Sequence, residues 1–166
     1  VYSGEGYVYL SKVIESLLVE GYRDYIKKMV LKPLKLKRTY TSYDSDLFPK
    51  NYATGYNSFM KEVKKWKNFD TDPAAGIHLN AKSFAKLIIS FFDKRYLSDL
   101  AVKNIVQPII RMDESVPDLY YGLGFEVLHT KNDTIILHGG NNDGFRSFMC
   151  YSVVNKSGFV YLTNSD

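Results

Sequence analysis

Two groups of residues in this chain have the types and spacing to move protons. One is Tyr2-Ser3-Gly4-Glu5-Gly6-Tyr7, just ahead of an amphipathic segment; the other is His138-Gly139-Gly140-Asn141-Asn142-Asp143-Gly144-Phe145, between two apolar runs. A phenol has an ordinary pKa of about 10, so Tyr2 serves as a base only where nearby positive charge lowers it. Its place before a helix gives it the positive end of the helix dipole, which favours a phenolate. An imidazole with a pKa of about 6.5 is largely neutral at pH 7, so His138 is a hydrogen-bond partner more than a fixed cation. Gly139 and Gly140 carry no side chain and let a ligand lie against the backbone. The plain alternative for this second group is a histidine at a strand end followed by a Gly-Gly turn.

Those residues need elements to position them. Tyr7, Leu10, Val13, Ile14, Leu17 and Leu18 fall on one side of a helix that Gly21 stops. Arg23 to Leu31 predicts a second, shorter helix closed by Pro33. Residues 32–51 are polar and turn-rich, and 51–69 are ambiguous, with room for a short strand or hairpin. Asn80 has the side chain of an N-cap for a helix from Ala81 to Asp93, with Phe84, Leu87, Ile88, Phe91 and Phe92 inward. A further helix is expected from Ser98 to Ile110. From Pro117 the pattern changes to period two, and four strands are expected: Tyr121–His129, Thr134–Gly139, Phe145–Val154 and Gly158–Thr163. Lys131-Asn132-Asp133 and Asn155–Gly158 are short enough for hairpin turns, so the strands should form an antiparallel meander. Helices followed by strands give an α+β domain, mainly helical over 1–116 and antiparallel over 117–166.

Composition bounds the rest. The chain has 166 residues, 45% hydrophobic and 15% aromatic, with a net charge of +4. That suits one domain with a core and excludes a disordered chain. The basic stretches Lys32–Arg38 and Lys61–Lys67 read as solvated faces, and nucleic acid is not expected as a partner. No segment reaches the roughly 18 apolar residues of a membrane span. Nothing at Val1 resembles a signal peptide; the start looks like the middle of a gene product. Cys150 is the sole cysteine and reads as a small buried hydrophobe. His78 reads as a partly exposed loop residue and His129 as a surface residue at a strand end. Asp44, Asp46, Asp70 and Asp72 read as loop acids. The histidines are not at metal-ligand spacing, and no cofactor is implied.

Ser58-Phe59-Met60-Lys61 and Ser83-Phe84-Ala85-Lys86 both match Ser-x-x-Lys. With 14 Ser and 17 Lys in 166 residues, chance alone yields roughly one or two such matches. Neither is taken as a nucleophile.

The order of motifs resembles the serine β-lactamase and penicillin-binding protein family, in its class C, esterase and D-Ala-D-Ala carboxypeptidase branch. It runs from the Tyr box through Pro33-Leu34-Lys35-Leu36, Pro73-Ala74-Ala75-Gly76 and Tyr121-Gly122-Leu123-Gly124-Phe125 to the His-Gly-Gly box and Leu162-Thr163-Asn164. The resemblance implies a partial β-lactamase/transpeptidase-like fold. In it Tyr2 would shuttle the proton of a nucleophilic serine, and the strand edge at Gly139 and Gly140 would bind an acyl substrate. The backbone N–H of Asn141 would then form half of the oxyanion hole. Gly4 stands where the family usually has Asn, and His138 where most lactamases have Lys. Both tilt the expectation toward an esterase or D-amino-acid peptidase acting on a small acyl or peptide substrate.

The family's Ser-x-x-Lys box precedes its Tyr box and has no counterpart here, and relatives are roughly twice as long. The resemblance therefore implies the C-terminal part of a serine hydrolase that lacks the leading segment and the last helix and is inactive alone. Apolar sheet and helix surface should be left uncovered, to be met by a missing N-terminal half or by self-association. A non-catalytic domain that binds acyl-peptides or cell-wall fragments is the alternative. Relatives are usually exported, which suggests an extracytoplasmic or periplasmic location by resemblance only.

Overall fold

The computed structural model describes residues 2–43, 52–68, 70–93 and 96–166. Asp44 and Asp46 lie outside the described residues, as do the ends of the loop and of the ambiguous stretch that meet at Asn51, and Phe69.

Helix α1 (Gly4–Leu17) begins three residues earlier than its apolar periodicity predicts. Ser3 is the reason: its hydroxyl accepts from the Gly6 amide at 3.2 Å, satisfying one of the free donors of the first turn. The far end is tied down by Glu15, whose carboxylate accepts from the Tyr22 amide at 3.1 Å. Helix α2 (Tyr22–Ile26) runs into a π-helical turn at Lys27–Leu31. The wider turn is closed by Lys32 N–H donating to the Lys27 carbonyl at 3.0 Å. Pro33 follows without an N–H to continue a regular helix. Helix α3 (Ala81–Phe92) is capped as expected, the Asn80 side-chain oxygen accepting from Ser83 N–H at 2.9 Å.

Helix α4 (Asp99–Ile105) ends five residues before the expected Ile110, because Ile110–Arg111 is already strand β1. The remaining strands are β2 (Leu119–Tyr121), β3 (Glu126–His129), β4 (Thr134–Asn142), β5 (Phe145–Ser152) and β6 (Ser157–Thr163). The expected single strand Tyr121–His129 is two strands. Gly122 N–H donates to the Phe125 carbonyl at 2.8 Å, and Gly124 sits at φ 84°, so this stretch turns the chain. The six strands form one antiparallel sheet in chain order, the expected meander with two more strands than predicted.

Residues directly opposite each other share a face. Val127, Ile136 and Tyr151 are in register, as are His138, Met149 and Val160. This face packs on α3 through Ile88, with Phe84, Phe91 and Phe92 alongside, and Val127, Ile136 and Met149 are fully buried. Each such side chain contributes about 1.5–3 kcal/mol of burial. The opposite face carries Leu137, Cys150 and Phe159 in register, and Phe148 opposite Tyr161. Cys150 is thus half-buried on the face away from the core, not inside it. Burial, with Asp133 as a lesser cause, raises its thiol pKa. Phe159 and Tyr161 stand 58% and 53% exposed. At the sheet's end Asp133 staples two turns, accepting from Ser152 Oγ at 2.5 Å, Thr134 N at 2.8 Å, and Val154 N and Asn155 Nδ2 at 3.1 Å. No helix among the described residues is long and apolar enough to cross a membrane.

Candidate active site

The His-Gly-Gly box is strand, not turn. β3 pairs with β4 only as far as Glu126 opposite Leu137, whereas β5 pairs with all of β4 to Asn142 opposite Phe145. Residues 138–142 therefore project beyond β3 with one edge unpaired. An extended chain segment is recognised at such an edge by main-chain hydrogen bonds. The turn comes later, at Asp143-Gly144, with Gly144 at φ 69°. An added Cβ there would strike Val63 and the backbone of Gly55 and Tyr56.

The two glycines differ. Gly139 is exposed, and an added Cβ would meet nothing nearer than the Phe148 ring at 4.0 Å. Gly140 faces Ser147 across the ladder, and a Cβ would overlap the Ser147 hydroxyl. Asn141 is exposed opposite Arg146. The Arg146 guanidinium donates to the carbonyls of Asn142 (2.8 Å) and Phe145 (2.9 Å) and pairs with Asp166 at 2.8 Å. Asp166 also accepts from Gly144 N–H at 2.9 Å. The strand tip is thereby fixed by a cation and a carboxylate that sequence reading passed over.

His138 lies on the α3 side of the sheet, half-buried, its ring 6.2 Å from that of Phe125. Burial lowers its pKa, against a smaller raising influence of Glu126, so it is neutral at pH 7. Tyr2 is 52% exposed beside two other phenols, its ring 5.7 Å from Tyr7 and 6.3 Å from Tyr121. The Tyr7 and Tyr121 hydroxyls are 3.0 Å apart. Burial raises the Tyr2 pKa, with Tyr7 and Asp72 adding to it. The helix end alone does not produce a phenolate here. Tyr121 is raised further, by burial and by its bond to Tyr7.

What links the two boxes is the Asp72–Gly76 turn. Asp72 is not a bare loop acid: its carboxylate accepts from Ala74 N (2.8 Å) and Ala75 N (3.2 Å), and its carbonyl from Gly76 N (2.8 Å). On one side, a Cβ at Gly4 would lie 3.4 Å from that of Ala74. On the other, Asn142 Nδ2 donates to the Ala75 carbonyl at 3.3 Å. Both boxes thus touch one turn, although about 135 residues separate them.

The turn is held from beneath by Asn68, which is buried. Its amide donates to the carbonyls of Thr41 (3.4 Å), Asp70 and Gly76 (both 3.3 Å). Its oxygen is 2.9 Å from His78 Nε2, which therefore carries the proton and donates. His78 is half-buried, in keeping with a partly exposed loop residue, and is bridged to Tyr40 through the backbone. Burial, with a smaller effect of Lys65, lowers its pKa. His129 is half-buried rather than superficial: Thr134 Oγ1 lies 3.2 Å from its Nδ1, and its Nε2 is buried without a partner. Nothing in the sequence singles out Asn68; Asp72-Pro73-Ala74-Ala75-Gly76 does carry the signal of an Asp-anchored turn.

The two Ser-x-x-Lys matches lie elsewhere. Ser83 sits in the first turn of α3, its hydroxyl donating to the Lys37 carbonyl at 3.1 Å. Ser58 lies on an exposed turn before Met60 at φ 58°.

Comparison with known proteins agrees with this geometry. The model of the Beta-lactamase family matches residues 1–166, and the chain belongs to that family. No curated protein matches it. Among solved structures it is similar to a D-stereospecific amidohydrolase from Streptomyces sp., with 18% identity and a TM-score of 0.83, covering 100% of this chain and 50% of that one. It is similar to the octameric penicillin-binding protein homologue from Pyrococcus abyssi, with 24% identity and a TM-score of 0.85, over 99% and 38%. It is also similar to a class C beta-lactamase, with 20% identity and a TM-score of 0.80, over 100% and 52%. At these identities the likeness establishes the fold. The chain spans about half or less of each.

Proposed function

We propose that this chain is the C-terminal portion of a β-lactamase-like serine hydrolase that forms and hydrolyses an acyl-enzyme, acting on an ester or a D-amino-acid peptide rather than on a β-lactam. The observation that carries this reading is the unpaired edge of β4 at residues 138–142, reached with the Tyr box through one shared turn. An acyl substrate pairs with that edge, and the Asn141 N–H stabilises the oxyanion that develops. His138, kept neutral by burial, accepts and returns a proton. Tyr2 needs a cation to act as a base, since its surroundings raise its pKa. A Ser-x-x-Lys segment outside these 166 residues supplies both the nucleophile and that cation. Such a segment, or a second copy, also covers the exposed apolar surface at Leu17, Phe159 and Tyr161.

The 166-residue chain should show no turnover of a chromogenic ester, a D-amino-acid amide or a cephalosporin. Turnover abolished by a serine-directed inhibitor would refute the proposal. The open edge also favours a second reading, a binding domain that captures acyl-peptides by strand addition without chemistry. The upstream reading frame separates the two: a Ser-x-x-Lys at a helix start supports the hydrolase, and its absence supports the binding domain.

A further inference from the structure

Arg146 stands directly opposite Asn141 in the β4–β5 ladder, on the face away from α3. One of its nitrogens, Nη1, spans the mouth of the hairpin, donating to the carbonyls of Asn142 at 2.8 Å and Phe145 at 2.9 Å. Those two residues face each other on either side of the Asp143-Gly144 turn. The same nitrogen lies 2.8 Å from the Asp166 carboxylate, which also accepts from Gly144 N–H at 2.9 Å. Asp166 is itself anchored, its N–H donating to the Tyr56 carbonyl at 3.0 Å. A surface ion pair alone contributes little; here the cation also holds two carbonyls of one hairpin.

The turn needs such a tie. Asp-Gly favours a two-residue hairpin turn with positive φ at both central residues, the form whose twist matches the strands. Here only Gly144 of the two is at positive φ, 69°. That is the pattern of a turn that splays the strands it joins. β3 gives the tip no support, because its pairing with β4 stops at Leu137. A second tie holds Asn142 by its side chain, Nδ2 donating to the Ala75 carbonyl at 3.3 Å.

Splaying would matter at one group above all. The pair that closes a tight hairpin turns its N–H and C=O groups inward, so those of the preceding residue point outward. Asn142 opposite Phe145 is that pair, and Asn141 N–H is therefore carried on the open edge, one residue from the clamped carbonyl. We propose that Arg146 is a positioning residue, which fixes the twist of the strand tip and so aims Asn141 N–H at the substrate oxygen. It acts through the backbone, from the face opposite His138, and touches no substrate. The proposal rests on the reading of residues 138–142 as the substrate edge.

The test is binding of N-acetyl-D-alanine amide to the 166-residue chain, followed by amide chemical shifts, with hydrogen exchange read on the same samples. The unsubstituted chain should give saturable shifts at residues 138–142. Arg146→Met should weaken binding about tenfold or more. It should also speed exchange of Gly144 N–H while leaving exchange at Val127, Ile136 and Met149 unchanged. Arg146→Lys should restore most of both losses, since an ammonium offers three donors at a single nitrogen. Asp166→Ala should add little in the Arg146→Met background, because the two residues act as one unit. If the unsubstituted chain binds and Arg146→Met binds equally well, the positioning role is overturned and the edge reading stands. Faster exchange throughout the core in Arg146→Met would also overturn it, as a plain loss of stability. No shift at residues 138–142 in the unsubstituted chain would overturn both.

Discussion

Helices α1 and α3 carry the same kind of sequence, a polar N-cap followed by an apolar stripe at helical spacing, and the fold treats them differently. Along α3 the stripe is used: Ile88 is buried, and Phe84, Phe91 and Phe92 pack against the sheet, Phe92 stacked on Tyr151 at 4.5 Å. Along α1, Leu10 and Leu17 are 49% and 80% exposed, and the one buried residue is Ser11. Periodicity declares that a helix has an apolar side; it does not say where the partner of that side resides. The same contrast divides the sheet. The α3 face is closed over Val127, Ile136 and Met149, while the other face is open at Phe159 and Tyr161. Among the described residues one half of a hydrophobic layer is complete and the other is not. That agrees with a chain spanning about half the length of its structural relatives.

This contrast can be broken most sharply in the closed layer. Met149→Ala should cost about 2–5 kcal/mol in denaturant unfolding, because the fully buried cavity it leaves has little room to relax. A loss near zero would show that the α3 face is not a packed core. Next come the caps, where the two helices should behave alike although their stripes do not. Asn80→Ala and Ser3→Ala should each cost about 1 kcal/mol, since each removes one acceptor from a first-turn amide. A cost confined to Asn80 would mean that α1 does not hold its N-terminus in solution.

A slope rather than an offset tests the closed face at His138. Its folded pKa lies below the unfolded value of about 6.5, so the unfolded chain binds more protons below that pH. Stability should fall as pH drops from about 6.5 toward the folded value. His138→Gln should flatten that slope, leaving the share of His78, which is lowered in the same direction. An unchanged slope would place the His138 ring in water. The smallest effect belongs to the open stripe: Leu17→Ser should shift stability by no more than about 0.5 kcal/mol in this chain alone. The same substitution should become costly once the covering segment or a second copy is present. Indifference in both settings would remove α1 from any interface.

Legibility in the sequence followed the range of the interaction. The Asn80 cap and the α3 stripe were readable because both are local patterns. The split of Tyr121–His129 has no local signal, because Gly122 and Gly124 suit a strand pattern as well as a turn and only the fold puts Gly124 at φ 84°. β1 is two residues of an apolar run that also suits a helix end. At the candidate site, Tyr2 and His138 were readable as residue types. Asn68 and Arg146 were not, because their importance lies in what they touch, three carbonyls and a strand tip, whereas Asp72 holds two amides of its own turn and carries a local signal.

By itself the sequence determined the helix caps, the apolar stripes, the order of strands and the family, because each is written in neighbouring residues or in motif order. Only the tertiary structure decided that β4 outruns β3 to leave residues 138–142 unpaired on one edge, and that one turn touches both boxes. Those outcomes depend on strand register and on contacts between distant segments, which no local run of residue types specifies.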